Sequence, residues 1–326
     1  MSNRISWVDF AKGIGIILVV YGHVLRGIES ASMGLSESFF AISDKLVYGF
    51  HMPLFFLLSG LFLSKWINKG FKKGVTEKAA LLLIPYLIWS LIQGSVNIVL
   101  SSFTNQSLTW GDLIINMFMS PFGQFWFLYV LFIMFVIYYI FRKVTTQNST
   151  LIISLILFLI APFSDVWVLN SVFKNFFFFV VGVNLMNFNL QKVEKCVSNN
   201  LYKLSSVVLF IVINYIYLSI ELTTFWENLL ELPVAIIGIN LIIVVSVIVS
   251  KIKPFKFIEV LGVLSMAIYL LHILAGSGTR IILNGIFNID NVAIHIVVGT
   301  VLGIAFPVIA YKIIEKFKIN KYLFGR

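Results

Sequence analysis

Lys12 and His23 stand eleven positions apart in the first apolar stretch of the chain, with no charged residue between them. On a helix rising about 1.5 Å per residue they lie about 16 Å apart and, after three turns, nearly in line. An ionisable side chain at membrane depth is costly unless it faces a cavity or a partner, so such residues read as functional first. An imidazole takes and returns protons near neutrality, which makes His23 a candidate general base. Lys12 supplies a cation. Asp9, three residues before it, either pairs with Lys12 across one helical turn or places a carboxylate at the helix N-terminus, and both readings stay open. A base and a cation within one apolar segment suit transfer chemistry that draws on a diffusible activated donor.

Three more histidines follow: His51, His272 and His295. No two of the four are close in sequence, and no cysteine or glutamate cluster supports them, so no metal site is expected. Taken singly, His51, His272 and His295 read as hydrogen-bonded structural histidines. His23 differs because it shares its segment with an intramembrane lysine. No histidine is followed by an aspartate at the fifth position after it, and there is neither a Gly-x-Ser-x-Gly elbow nor a Walker-type phosphate loop. ATP-driven work and serine hydrolysis are thereby disfavoured.

The elements that must carry these residues follow from composition. Of 326 residues, 60% are hydrophobic and 12% charged, whereas a soluble domain is about a quarter charged. Apolar stretches close to the length that crosses a bilayer recur from end to end. They fall near 7–26, 46–66, 79–100, 122–141, 150–168, 172–187, 203–220, 228–249, 257–275 and 292–314. The expected fold class is all-α: a polytopic integral membrane helical bundle of about ten transmembrane helices. Asp9 and Lys12 interrupt the first stretch and no small-residue cleavage site follows it, so it reads as a retained span.

Orientation comes from the lysines and arginines. If the N-terminus is cytoplasmic, 20 of the 24 basic residues lie inside, and only Arg26, Lys45, Lys174 and Arg280 lie outside. Most acidic residues, among them Glu29, Asp44, Asp112, Glu221 and Asp290, then face the exterior. Such a bias sets both termini in the cytoplasm and places all four histidines toward the outer half of the bundle. The net charge of +10 is thus a topology signal, and no nucleic-acid partner is expected. The single cysteine, Cys196, offers no disulfide and reads as incidental. Connections are short, so any chemistry belongs to the spans or their links. No internal repeat of the kind found in inverted-repeat transporters is visible. We expect one integral-membrane domain over 1–326, with its main body at about 5–315 and a basic cytoplasmic tail at 316–326.

Several segments resemble the membrane acyltransferase-3 family in order and spacing. Lys12-x10-His23 is similar to the family's basic residue and histidine in the first span. Phe50, Pro53, Phe55, Phe56, Ser59 and Gly60 match its Phe-x-x-Pro-x-Phe-Phe-x-x-Ser-Gly signature in the second. The basic loop leading to Pro85 and Tyr86, the run Phe125 to Leu128, and the run Leu261 to His272 also match. The family's first basic position is often arginine, and a lysine there lacks the bidentate fork for phosphate. The basic pair ahead of Pro85 and Tyr86 is Lys73 and Lys78, without a strict Arg-x3-Arg spacing. The features resemble the sugar O-acetylase branch, and no appended hydrolase-like domain is expected.

The resemblance implies transfer of an acyl group, most often acetyl from acetyl-CoA as co-substrate, to a hydroxyl of a cell-surface glycan or its lipid-linked sugar precursor. It implies a multi-pass protein of a bacterial inner membrane, with no bound cofactor and membrane lipids as its surroundings. His23 is then either the base that deprotonates the acceptor hydroxyl or a residue that is itself acylated and relays the group. Lys12 and Asp9 join it as catalytic candidates. Lys73 and Lys78 are candidates for the donor's phosphates, although basic loop residues also serve simple positive-inside anchoring. Trp126, Tyr269, His272 and His51 are candidates for acceptor binding, and Ser59 with Gly60 for close helix packing. A transporter or flippase of a lipid-linked sugar is the competing reading, and a non-catalytic scaffold a third.

Overall fold

A computed structural model describes residues 5–101, 108–121, 123–186 and 191–325. Arg4 and Arg326 lie outside the described residues, as do the side chains of Lys65 and Lys192. Among the described residues there is no strand; the chain runs through sixteen α-helices. They are α1 (Ser6–Ser30), α2 (Glu37–Tyr48), α3 (His51–Leu61), α4 (Ser64–Ile67), α5 (Phe71–Val99), α6 (Trp110–Met119), α7 (Trp126–Val144) and α8 (Gln147–Ile160). There follow α9 (Trp167–Leu185), α10 (Gln191–Ser198), α11 (Asn200–Ser219), α12 (Thr224–Val249), α13 (Lys256–Val263), α14 (Ser265–Gly285), α15 (Val292–Lys316) and α16 (Asn320–Phe324).

Among the described residues, eight stretches are long and apolar enough to cross a membrane: α1, α5, the stretch Trp110–Val144 that holds α6 and α7, α9, α11, α12, α14 and α15. Several of them carry large apolar side chains on their outer faces, such as Leu201, Leu204, Val208 and Ile211 on α11 and Val297, Val301, Phe306 and Ile309 on α15. A soluble protein does not leave continuous apolar faces of this size to water, and lipid removes the cost. The protein is an all-α, multi-pass membrane protein.

Each of the ten apolar stretches expected from the sequence contains helix among its described residues, but three are divided or cut short. The stretch 46–66 straddles the end of α2 and an α3 of only 11 residues. Gly49 and Phe50 separate the two, with Phe50 at φ −140° and ψ −17°. The stretch 150–168 contributes α8, 14 residues long, which ends in a 3-10 turn over Ala161–Phe163 whose Pro162 lacks the amide hydrogen to continue the helix. The stretch 257–275 is divided at Leu264 between α13 and α14, and α14 then continues to Gly285.

The chain forms two compact units. One comprises Met1–Ile16, Lys45–Gly74 and Met134–Val263; the other comprises Ile17–Asp44, Val75–Ile133 and Leu264–Arg326. In the first, α3 lies directly on α9. A Cβ on Gly60 would collide with the carbonyl oxygen of Phe179, and one on Gly182 with that of Leu57, so the missing side chains on both helices let the backbones touch. Phe158, Phe176, Phe178 and Phe179 fill the adjoining core. In the second unit, α14 and α15 pack as a pair. The α16 helix is tied to α5 by Trp89 Nε1–H, which donates to the Leu323 carbonyl at 2.7 Å, and by the Trp89–Phe324 stack at 5.9 Å.

Candidate active site

A cavity of about 360 Å³ lies within the second unit, inside the size range of small-ligand sites, roughly 300–1,000 Å³. Its wall combines the second half of α1, the later part of α5, the turn before α7, the middle of α14 and the start of α15. His23, His272 and His295 line it, together with Arg26, Arg280, Gln93, Asn97, Gln124 and Ser277. Among the described residues that line it, none carries a carboxylate.

The two central imidazoles sit with ring centroids 5.0 Å apart. His23 is half-buried. His272 is 1% exposed, and its Nδ1 lies 2.7 Å from the carbonyl oxygen of Tyr269 and 3.1 Å from that of Ile268. Carbonyl oxygens only accept, so these contacts assign the ring proton of the neutral imidazole to Nδ1 and leave Nε2 as an acceptor. That Nε2 is buried and has no hydrogen-bond partner among the described residues. His295 takes the other tautomer: its Nε2–H donates to the Ile289 carbonyl at 2.6 Å, while its buried Nδ1 has no partner among the described residues.

The remaining polar wall is tightly organised. Gln93 and Gln124, each 2% exposed, exchange two amide hydrogen bonds, Gln93 Nε2 to Gln124 Oε1 at 3.1 Å and Gln124 Nε2 to Gln93 Oε1 at 2.9 Å. Gln124 sits in the 3-10 turn Gly123–Phe125, entered through Gly123 at φ +53°, a region glycine enters without a Cβ penalty. The Tyr269 hydroxyl donates to the Gln124 carbonyl and its ring packs edge-on against Phe127 at 5.7 Å. Arg26 forms a bidentate pair with Asp44 at 2.6 and 2.9 Å, and the Arg280 guanidinium donates to the Gly27 carbonyl.

Of the residues singled out from the sequence, His23 and His272 meet at this cavity. Tyr269 is buried behind its wall, and Trp126 is half-buried at the start of α7. Lys78 is half-buried on α5. Asp9, Lys12, Lys73 and His51 belong to the first unit. There Lys12 Nζ lies 3.7 Å from the Asp9 carboxylate and 5.2 Å from the centre of the Phe62 ring. Lys73 is exposed. His51 is buried, and its Nδ1–H donates at 2.7 Å to the Val47 carbonyl in the last turn of α2. That carbonyl has no partner within its own helix.

Sequence reasoning missed Gln93, Gln124 and the cavity positions of Arg280 and His295. One signal was available for the first: Gln93 and Asn97 are four residues apart on an otherwise apolar part of α5, so two neutral polar groups share a face of a membrane helix. Among the described residues, no three His, Cys, Asp or Glu side chains converge to hold a metal ion.

The fold and site define a multi-pass helical membrane protein with a histidine-lined polar cavity. Comparison places it more narrowly: a family model described as an acyltransferase domain matches residues 5–312, and the chain belongs to the acyltransferase-3 family. It is similar to nodulation protein NolL of Mesorhizobium japonicum, 36% identical over 148 residues, which cover 45% of this chain and 38% of that protein. It is also similar to nodulation protein NolL of Sinorhizobium fredii, 42% identical over 92 residues, 27% of this chain and 24% of that protein. The matched stretches thus span less than half the length of either relative. No solved structure matches the chain.

Proposed function

We propose that this protein is a membrane O-acyltransferase that moves an acetyl group from cytoplasmic acetyl-CoA to a hydroxyl of a cell-surface glycan or its lipid-linked precursor, in a bacterial inner membrane. The observation that carries the reading is the polar cavity around His23, set among apolar helices of a chain that belongs to an acyltransferase family. A membrane protein has little reason to bury imidazoles and amides together in its spans unless a polar ligand replaces water there.

In this scheme His23 takes the proton of the acceptor hydroxyl while the oxygen attacks the thioester carbonyl. Collapse of the tetrahedral intermediate breaks the carbon–sulfur bond, and the thiolate leaves as free CoA once the proton is returned to it. The alternative covalent route, through acyl-His23, uses the same residue as nucleophile. Lys78 serves the donor as a cation. Trp126, Tyr269 and His272 serve the acceptor, Tyr269 by holding the Gln124 turn.

The test uses purified protein in lipid vesicles, radiolabelled acetyl-CoA, and lipid-linked glycan extracted from the cell membranes. Wild-type protein is expected to move label into the lipid or glycan fraction, and His23→Ala to lose the transfer by about 100-fold or more, the contribution typical of a general base. Equal rates for the two proteins sink the assignment of His23. Mass spectrometry of the product is expected to show a gain of one acetyl unit.

A further inference from the structure

We propose that His295 is a specificity residue for the acceptor: its Nδ1 accepts a hydrogen bond from a glycan hydroxyl other than the one being acylated, about 12 Å along the bundle from His272. This rests on the acyl-transfer reading given above and names what the cavity recognises in its acceptor.

His295 lies in the first turn of α15. Its Nε2–H is committed to the Ile289 carbonyl, in the link before the helix, at 2.6 Å, which makes Nδ1 the acceptor of the neutral ring. The two nitrogens of an imidazole face nearly opposite ways, so Nδ1 looks away from the link. His295 is 2% exposed and lines the cavity, yet its Nδ1 has no partner among the described residues. A buried acceptor without a donor costs free energy, and a native protein retains such an atom where a ligand uses it. The cavity holds a second one, Nε2 of His272. Two lone pairs of this kind call for a ligand that brings hydrogen-bond donors. It should carry no positive charge, since Arg26 and Arg280 line the wall and no lining carboxylate is found among the described residues. The hydroxyls of a sugar are such donors. A metal ion is not supported, because no three His, Cys, Asp or Glu side chains converge among the described residues.

Spacing separates the two roles. The helices α14 and α15 pack antiparallel across the short link 286–291. A Cβ on Gly303 would lie 3.8 Å from the His272 carbonyl, so His272 is level with Gly303. His295 is eight residues earlier on α15, about 12 Å nearer the link at a rise of about 1.5 Å per residue. A hydrogen bond spans about 3 Å, so a hydroxyl held beside His272 and His23 is out of reach of His295. His295 therefore reads a different hydroxyl, on a part of the acceptor nearer the link. The space continues that way: Arg280 and Ile281 line both this cavity and a second one of about 650 Å³, walled also by Ser32, Asn284 and Asp290. A span of about 12 Å exceeds one pyranose ring, so the ligand that meets both histidines is an oligosaccharide.

Two readouts on the full-length protein in lipid nanodiscs test this, with the lipid-linked glycan extract as ligand. The first omits acetyl-CoA and uses ¹⁵N NMR of histidine-labelled protein, with the His295 signals assigned by their loss in His295→Gln. The unprotonated Nδ1 signal of His295 is expected to move upfield as a hydroxyl donates to it. A signal that stays in place, its lone pair met by water only, overturns the proposal. The second readout is kinetic. His295→Gln keeps a donor for the Ile289 carbonyl but places nothing at Nδ1. It is expected to raise KM for the glycan about 3- to 10-fold, the loss of one neutral hydrogen bond, with kcat and KM for acetyl-CoA little changed. His295→Asn keeps an amide oxygen at the Nδ1 position and gives up the bond to Ile289. It is expected to hold KM for the glycan near wild type while the thermal midpoint falls. A purely structural His295 predicts the reverse, an undisturbed Gln variant and a disturbed Asn variant. That result, or a wild-type glycan KM in His295→Gln, overturns the proposal. Label transfer without a His295 shift overturns this role alone, whereas a shift in protein that transfers no label overturns the acyl-transfer reading and leaves His295 as a glycan contact.

Discussion

At the scale of single residues, the cavity wall shows how polar groups are kept in an apolar fold. The Gln93 and Gln124 amides satisfy one another in a closed pair, so neither can be removed alone at small cost. Gln93→Leu leaves the buried Gln124 amide without its partner, a loss of about 1–3 kcal/mol. Removing both groups together with Gln124→Leu is expected to restore much of that stability, because no orphan remains. Thermal unfolding of the detergent-solubilised protein checks this: both single variants melt lower than wild type, and the double variant melts above the sum of their losses. A double variant that simply adds the two losses contradicts the pairing. His23 was legible in the sequence because a histidine and a lysine amid Ile, Leu and Val are conspicuous. Gln93 and Gln124 were not, since a neutral amide in an apolar run carries no charge to mark it and its partner is 31 positions away.

At the scale of elements, helix identity was legible and helix continuity was not. Apolar runs of bilayer length announced the spans, yet Leu264, where the ninth stretch divides into α13 and α14, bears no proline or glycine of its own. Two residues before it, a Cβ on Gly262 would strike the Asp9 carbonyl, a contact between segments far apart in sequence. Gly60 was read correctly as a close-packing position, although the partner, α9, was beyond reach until the fold was known. Gly182→Ala is expected to push α9 off the Leu57 carbonyl and to cost about 1–3 kcal/mol, as overpacking does. Gly278→Ala on α14 meets no atom within 4 Å and is expected to leave stability unchanged or raise it by about 0.5–1 kcal/mol, the helix preference of alanine over glycine. Thermal midpoints of the two variants, measured side by side, separate a packing glycine from an idle one. Loss of equal size at both positions contradicts the contact.

At the scale of the whole molecule, the unevenly distributed charge makes a claim about orientation that can be read out chemically. With 20 of 24 basic residues assigned to one side, the positive-inside bias orients the chain with little ambiguity. Cys196 is exposed on α10, in the link between the spans near 172–187 and 203–220, which carries Lys195 and Lys203 and is therefore cytoplasmic in this orientation. Being the single cysteine of the chain, it reports that side without any engineering. A membrane-impermeant maleimide applied to intact spheroplasts is expected to leave Cys196 unlabelled, and to label it once the membrane is permeabilised. Ser36→Cys in a Cys196→Ser background probes the opposite side: Ser36 lies between α1 and α2 in a half-exposed link beside Glu37 and near Glu29, and is expected to react in intact spheroplasts. The cavity of the second unit uses Ser30 and His295, residues at the ends of spans on that same outer side, so the pair of labelling results also fixes the face from which an acceptor reaches His23. Labelling of Cys196 from outside reverses the orientation, and with it the assignment of acceptor access to that end of the cavity.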